Sequence, residues 1–346
     1  MQPLDDTKIR LEGVTLDLLK LSFVKALAQL LLSRGQPIDA VIWNAGMSGW
    51  LGIHYPRAIW SLCTDLLHAS TYPDYFRVQI GLLADKQDPT DPSEPALGQI
   101  FLANVFGHYM LTHWLAPLLG RESRVIWTTS GCAFASSFEV ADLQCIAAPL
   151  AYEATKRLTD IFVLTSELLS TAVQTNEFLA TEKAEAKPKM FLTHPGVCAT
   201  AIVGLHWSLS FFIVATMYIA RWLGSPWHTT SAYKGATSAV FAALAPSEQL
   251  AAQEAYDGKG KWGSAVSVAG DERVARTDVE GWGFGGVVGE VPAGSVASGV
   301  GRRERSAKLT TREMREQFEE DGRVVWREME RLRVLWESRL GGPPKA

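Results

Sequence analysis

At 346 residues the chain exceeds the ~100–200 residues of an average domain, yet fits one large α/β domain with an extension. Its 47% hydrophobic and 20% charged residues supply a sizeable core and exclude a disordered, collagen-like or low-complexity chain. With 33 basic and 37 acidic residues the net charge is −4, which offers no field to a phosphate backbone, so nucleic acid is excluded as a partner. Cys63, Cys132, Cys145 and Cys198 are widely spaced and contain no CxxC pair. Neither a zinc site nor a dense disulfide framework is expected, and reduced, cytosol-facing thiols are. The start, Met1-Gln2-Pro3-Leu4-Asp5-Asp6, carries acid where a secretion signal carries base.

In chain order, Val14 to Leu32 sets Leu18, Leu21, Val24, Leu27 and Leu31 at helical spacing before Arg34-Gly35, which predicts an amphipathic helix. Ala40-Val41-Ile42-Trp43 is a short apolar run closed by Asn44-Ala45-Gly46, the pattern of a strand buried on both faces of a parallel sheet. Residues 49–99, with Pro73, Pro89, Pro92 and Pro95, read as an irregular insertion. A helix over Ile100 to Leu119 leads to a second strand, Arg124 to Thr129, ending in Ser130-Gly131. A helix over Tyr152 to Leu169 leads to a third, Lys189 to Thr193, ending in Pro195-Gly196. Strand alternating with helix predicts an α/β fold with a Rossmann-like doubly wound parallel sheet, whose ligands bind at the carboxyl ends of the strands.

From Pro195 to Ala220 there is no Lys, Arg, Asp or Glu, a length able to span ~30 Å as a helix. His206, Ser208 and Ser210 interrupt the run, so 197–223 is expected to be an apolar lid or a monotopic membrane contact rather than a span, with Trp207, Phe211, Phe212, Met217, Tyr218 and Trp222 dipping into one leaflet. Residues 285–305 have the Gly/Val/Ala/Ser composition of a flexible linker. The helical C-terminal extension, 306–340, holds an amphipathic helix from Thr311 to Leu340. Met314, Phe318, Val325, Met329, Leu332 and Trp336 follow at three- and four-residue steps, with one longer step across Gly322. That face docks on its own domain, or else on a partner helix or membrane surface.

Tyr152-Glu153-Ala154-Thr155-Lys156 puts a phenol and an ammonium on one face of a helix. A phenol of pKa ~10 is a poor acid at neutral pH, and a nearby cation lowers it, so Tyr152 is the candidate general acid. Ser130, at the preceding strand end, and Asn104, in the helix before it, have polar reach toward the same place.

In these residues the chain resembles the short-chain dehydrogenase/reductase family, whose Asn, Ser, Tyr, Lys tetrad matches Asn104, Ser130, Tyr152 and Lys156. Further matches are Asp17 in Thr15-Leu16-Asp17-Leu18, Asn44-Ala45-Gly46, and Pro195-Gly196-Val197-Cys198-Ala199-Thr200. Asn104-Val105-Phe106-Gly107-His108-Tyr109, Lys156-Arg157-Leu158-Thr159-Asp160, Gly224-Ser225-Pro226-Trp227-His228 and Lys261-Trp262-Gly263-Ser264 narrow the likeness to the 3-ketosteroid reductases of fungal sterol biosynthesis, over residues 8–284. The resemblance implies an NADPH-dependent reductase of a sterol C3 ketone, acting in C-4 demethylation on the cytosolic face of the endoplasmic reticulum membrane or at a lipid droplet, beside other sterol-biosynthesis enzymes. It also implies the roles. Ser130 would hold the ketone oxygen, Tyr152 would donate the proton, and Lys156 would bind the nicotinamide ribose and tune Tyr152. Asn104 would hold a water relaying protons to Lys156, and Asp17 would contact the adenine. The Asn44-Ala45-Gly46 turn and Pro195-Gly196, with Val197 and Thr200, would line the cofactor. No metal is implied.

The family's first strand, TGxxxGxG turn and second strand should precede Asp17, yet only sixteen residues do, and Gly13 is their sole glycine. In the family's strand order 3-2-1-4-5-6-7 the loss leaves a gap of ~14 Å at ~4.8 Å per strand. Either the sheet is N-terminally truncated, by an incomplete gene model or a splice form, or its first retained strand moves beside Ala40 to Trp43. Such a chain would hold a dinucleotide poorly, and the alternative to a reductase is a non-catalytic scaffold subunit of a sterol-biosynthetic complex, or an inactive fragment.

Overall fold

The computed structural model describes residues 10–179, 187–200, 207–298 and 307–344. Helix α1 (Leu21–Arg34) starts later than the leucine spacing predicts. The Asp17 carboxylate accepts from Leu19 N at 3.0 Å and its carbonyl from Lys20 N at 3.1 Å, which ties Asp17–Lys20 into a turn before the helix. Strand β1 (Ala40–Trp43) follows. The 49–99 stretch, irregular in its pattern, carries β2 (Trp50–Ile53), α2 (Tyr55–Thr64), α3 (Leu66–Thr71) and β3 (Phe76–Val78), with β2 and β3 paired antiparallel. The next helix is continuous but not regular: α4 (Gln99–Phe101), a π segment over Leu102–Phe106, then α5 (Gly107–Leu115).

Then come β4 (Arg124–Thr128), α6 (Ala151–Leu164), α7 (Ala172–Phe178), β5 (Lys189–His194) and α8 (Trp207–Trp222). The short α9 (Ala232–Gly235) precedes α10 (Thr237–Leu244), α11 (Ser247–Asp257), β6 (Lys261–Val266), β7 (Glu272–Thr277) and α12 (Arg312–Arg339). The main sheet has the order β1-β4-β5-β6-β7, parallel except for β7. Successive β4 side chains serve opposite layers, as the strand period requires. Val125 and Trp127 enter the core beneath α1, α5 and α6, while Ile126 packs with Phe191, Ala242 and Leu250 beneath α10 and α11. Helices on both faces make the sheet doubly wound.

β1 departs from the doubly buried strand expected of it. It pairs with β4 alone, no strand among the described residues pairs with its other edge, and Ile42 is 41% exposed.

Of the two roles open to the last helix, α12 takes the first and docks on its own domain. Thr311 caps it, its hydroxyl accepting from Met314 N, and Phe318, Val325, Trp326, Met329 and Trp336 enter the same core as α5 and α6. Trp326 Nε1 donates to Phe162 O at 3.1 Å, Tyr109 Oη to Glu330 Oε1 at 2.6 Å, and Trp114 Nε1 to Glu337 Oε1 at 2.7 Å. Gly322 explains the long step in the pattern, because a Cβ there would stand 2.5 Å from Thr165 Cγ2. The turn Val296–Ser298 packs against β7 with Ala297 buried, and Gly289 N donates to Thr310 O at 3.0 Å. No described helix is long and apolar enough to cross a membrane.

Candidate active site

Three strand-end turns converge at the carboxyl edge of the sheet. After β4, Thr129 N donates to Thr193 O at 2.7 Å, which carries the chain into the Ser130 turn beside the end of β5. Helix α6 then begins at Ala151, so Tyr152 and Lys156 lie one turn apart beneath that turn. Lys156 Nζ donates to Thr128 O at 2.8 Å and stands 5.5 Å from the centre of the Tyr152 ring. The Ser130 hydroxyl borders the same cavity as the phenol and accepts from Cys132 N at 3.1 Å.

Asn104 sits in the π segment, where the widened turn sets it apart from the α-helical spacing on either side. Its Oδ1 accepts from Met47 N at 2.7 Å, and its Nδ2 donates to Met47 O at 2.9 Å and to Thr155 Oγ1 at 3.1 Å. The side chain thus rivets the Asn44–Met47 turn to the helix bearing Tyr152. Gly46 is required there, since a Cβ would lie 2.7 Å from Asn104 Oδ1. Asn104 is therefore placed as a fastening residue, with its side-chain polar atoms already engaged.

A cavity of about 830 Å³ opens over these turns. Ser130, Tyr152, Lys156, the Asn44-Ala45-Gly46 turn, Pro195-Gly196-Val197 and Thr200 all border it. Asn104 stands behind Gly46, and Asp17 is not on its border. The walls are apolar: Tyr55 and Ile59 of α2 on one side, Phe212, Ile213 and Met217 of α8 on another. A third wall went unread in the sequence. Trp50 stacks on Phe76 with ring centres 4.1 Å apart, and meets the Tyr152 ring at 5.3 Å and 62°. Only the aromatic density of a segment otherwise marked by prolines signalled it.

Burial sets the protonation states. It raises the Tyr152 phenol, against the Ser130 hydroxyl that lowers it, so the phenol holds its proton at neutral pH. Lys156 is expected from the sequence to lower that pKa, but its ammonium is turned to Thr128 O, and burial, with Cys132 and Glu153, raises the phenol instead. Lys156 itself is brought down to about 8 by burial, with Asp160 pulling the other way. Glu153, 4% exposed, borders the cavity with Oε2 unpartnered, and burial lifts its carboxyl to about 7. A buried phenol with its proton, a hydroxyl beside it and an ammonium one turn away form a proton-donating site at the end of an apolar cavity.

No protein-family model matches the chain. Curated relatives do. The 3-keto-steroid reductase erg27 of Aspergillus fumigatus is 40% identical over 346 residues, covering 94% of this chain and 76% of that protein. The 3-keto-steroid reductase ERG27 of Gibberella zeae is 38% identical, covering 88% of this chain and 68% of that one. The erg27 protein of Schizosaccharomyces pombe, a 3-keto-steroid reductase, is 34% identical, covering 80% and 73%.

Proposed function

Since the chain belongs to the 3-keto-steroid reductase family, we propose that it reduces the C3 ketone of a sterol intermediate to the 3-hydroxyl, in C-4 demethylation toward ergosterol-type sterols, with NADPH as reductant. The observation that carries this reading is the single cavity of about 830 Å³ in which Ser130, Tyr152 and Lys156 face apolar and aromatic walls. A volume of that order suits a large apolar ligand held by a few convergent polar groups.

The residues present fit the nicotinamide end of a dinucleotide. Both turns are held tight from behind, since a Cβ at Gly46 would meet Asn104 Oδ1 at 2.7 Å and one at Gly196 would meet Trp227 O at 2.3 Å. Asn44, Ala45, Gly46, Pro195, Gly196, Val197 and Thr200 would hold that end, with Lys156 at the ribose. Among the described residues no glycine-rich loop borders the cavity. When bound, a reduced nicotinamide supplies hydride to the ketone carbon. Ser130 holds the ketone oxygen by its hydroxyl, and Tyr152, protonated at neutral pH, releases its proton to that oxygen as negative charge develops there. Trp50, backed by Phe76, packs edge-on against the Tyr152 ring.

The second reading is a non-catalytic scaffold for other sterol-biosynthesis enzymes. Ketone reduction is the test, measured on the chain as it stands and on the chain joined to the family's amino-terminal strand-turn-helix-strand. In whichever form turns over, Tyr152→Phe should cut the rate by roughly 10²–10⁴-fold. No reduction by either form overturns the reductase reading.

The outer side of α8 exposes Phe211 and Trp222, at 70% and 66%, and α2 exposes Trp60, at 71%, beside the cavity walls. Aromatic residues so placed suit the lipid interface, where an apolar substrate would enter from the cytosolic leaflet of the endoplasmic reticulum or from a lipid droplet. Trp207, expected among them, has its side chain outside the described residues. Phe211→Ser with Phe212→Ser should move the protein from the membrane to the soluble fraction with unchanged urea stability. A loss of stability with unchanged fractionation would mean a buried lid instead.

A further inference from the structure

Lys261 and Asp160 come from positions 101 residues apart and meet beneath the strand ends. Lys261 opens β6, in register with Leu192 of β5, and Asp160 follows Lys156 by one turn of α6. Their side chains are 4% and 1% exposed and lie 2.7 Å apart. Each makes a second tie toward the active-site turn. Lys261 Nζ donates to Ser130 O at 2.7 Å, and Asp160 Oδ1 accepts from Thr129 Oγ1 at 2.6 Å, a hydroxyl that also lies 3.0 Å from Lys156 O.

The turn they hold is a wall between two spaces. Ser130, Cys132, Gly196 and Val197 border the cavity of about 830 Å³ on one side. They also border a second cavity, of about 90 Å³, that reaches Asp160, His194 and Lys261 on the other. A segment with free space on both sides lacks the close packing that fixes core residues, so its place depends on hydrogen bonds. Lys261 to Ser130 O is a charged one, made where water is scarce. As a source of stability the pair is poor, because desolvating two charges offsets most of their attraction, and well-packed apolar residues would serve the core as well. What it does that apolar residues could not is reach Ser130 and act on Lys156.

We propose that Lys261 and Asp160 are positioning residues of this site: Lys261 fixes the Ser130 turn, and the two charges together set the field around the Lys156 ammonium. The catalytic meaning rests on the reductase reading, while the coupling to Lys156 does not. Asp160 raises the Lys156 pKa and Lys261 lowers it, against the larger effect of burial. Of the other titratable groups around Lys156, Tyr152 is kept protonated by burial, and His108 on α5 is kept neutral, its pKa brought down to about 4. Glu153, lifted to about 7 by burial, and Arg157 share the helix with Lys156, but the charges that act on its ammonium are those of Asp160 and Lys261.

The experiment is competitive acylation of the purified chain read by mass spectrometry, which titrates Lys156 without substrate or cofactor. Asp160→Asn should lower its titration, and Lys261→Met raise it, each by about one pH unit or more. Either single variant strands a buried charge and can fail to fold. The double variant removes both charges. In it, amides of Ser130–Cys132 should exchange with solvent at least ~10-fold faster than in the wild type, while β5 keeps its protection. Unmoved Lys156 titration in folded single variants, or unchanged exchange at the Ser130 turn in the double variant, overturns the proposal. Where the protein reduces ketone, the double variant should lose kcat with little change in KM. If the variants show these shifts while the wild type reduces no ketone in either form, the reductase reading is removed and the pair's role stands.

Discussion

Glu153→Gln isolates the energetic consequence of putting a carboxyl in the cavity wall. Glu153 is 4% exposed with Oε2 unpartnered, and burial lifts its pKa from 4.5 to about 7. Between those values the folded chain keeps a proton that the unfolded chain has lost, so stability falls as pH rises through the window. At 1.36 kcal/mol per unit the loss is about 3 kcal/mol, complete above pH ~7. Glutamine keeps the shape and cannot ionise. Urea unfolding of both proteins at several pH values between ~4.5 and ~8 gives the difference directly. Burial brings His108 and His228 down to about 4, which makes stability rise with pH over roughly 4 to 6.5, but they act equally in both proteins and cancel. The glutamine variant should match the wild type near pH 4.5 and exceed it by about 3 kcal/mol at pH 8. Parallel stability curves across the range would refute the desolvation argument and mean that Glu153 titrates as an ordinary carboxyl.

Two further outcomes follow from the packing. Amides of β1 should exchange much faster than those of β4, because β1 is hydrogen-bonded along one edge and β4 along both, and equal protection would mean that another segment covers the free edge. Gly322→Ala gains about 1 kcal/mol of helix propensity but sets a methyl 2.5 Å from Thr165 Cγ2, a crowding worth about 1–3 kcal/mol, so denaturant unfolding should show a net loss; a gain would show that α12 can lift from α6.

The strands were legible in the sequence because each is an unbroken apolar run closed by small or polar residues, and those closures are the turns that border the cavity. Tyr152 and Lys156 were legible because a four-residue step on a helix fixes their shared face. The start of α1 was misjudged because leucine spacing continues upstream through residues that Asp17 holds in a turn. The Trp50–Phe76 wall was hidden because its two strands are short and separated by two helices, so no local period marks their pairing. Asp160 and Lys261 both lay inside conspicuous strings, yet nothing along the chain announces an ion pair across 101 positions. The field acting on Tyr152 was likewise unreadable, since spacing gives proximity to Lys156 but not the depth of burial that outweighs it.

Helix α12 also dictates an order of events. Tyr109, Phe162 and Phe178 form one side of an aromatic cluster whose other side is Trp326, and Lys25 of α1 donates at 2.7 Å to both Leu340 O and Gly342 O. During synthesis these aromatic rings emerge long before Trp326 does. At ~5–20 residues per second the uncovered face persists on the ribosome for on the order of ten seconds or more, exposed to other chains and to chaperones. Closure of such distant contacts is slow in its own right. The helix that carries Tyr152 and Lys156 thus acquires this support only when Trp326 arrives, and synthesis that stops before it yields a protein in which the turns around the cavity are present and one side of their scaffold is not.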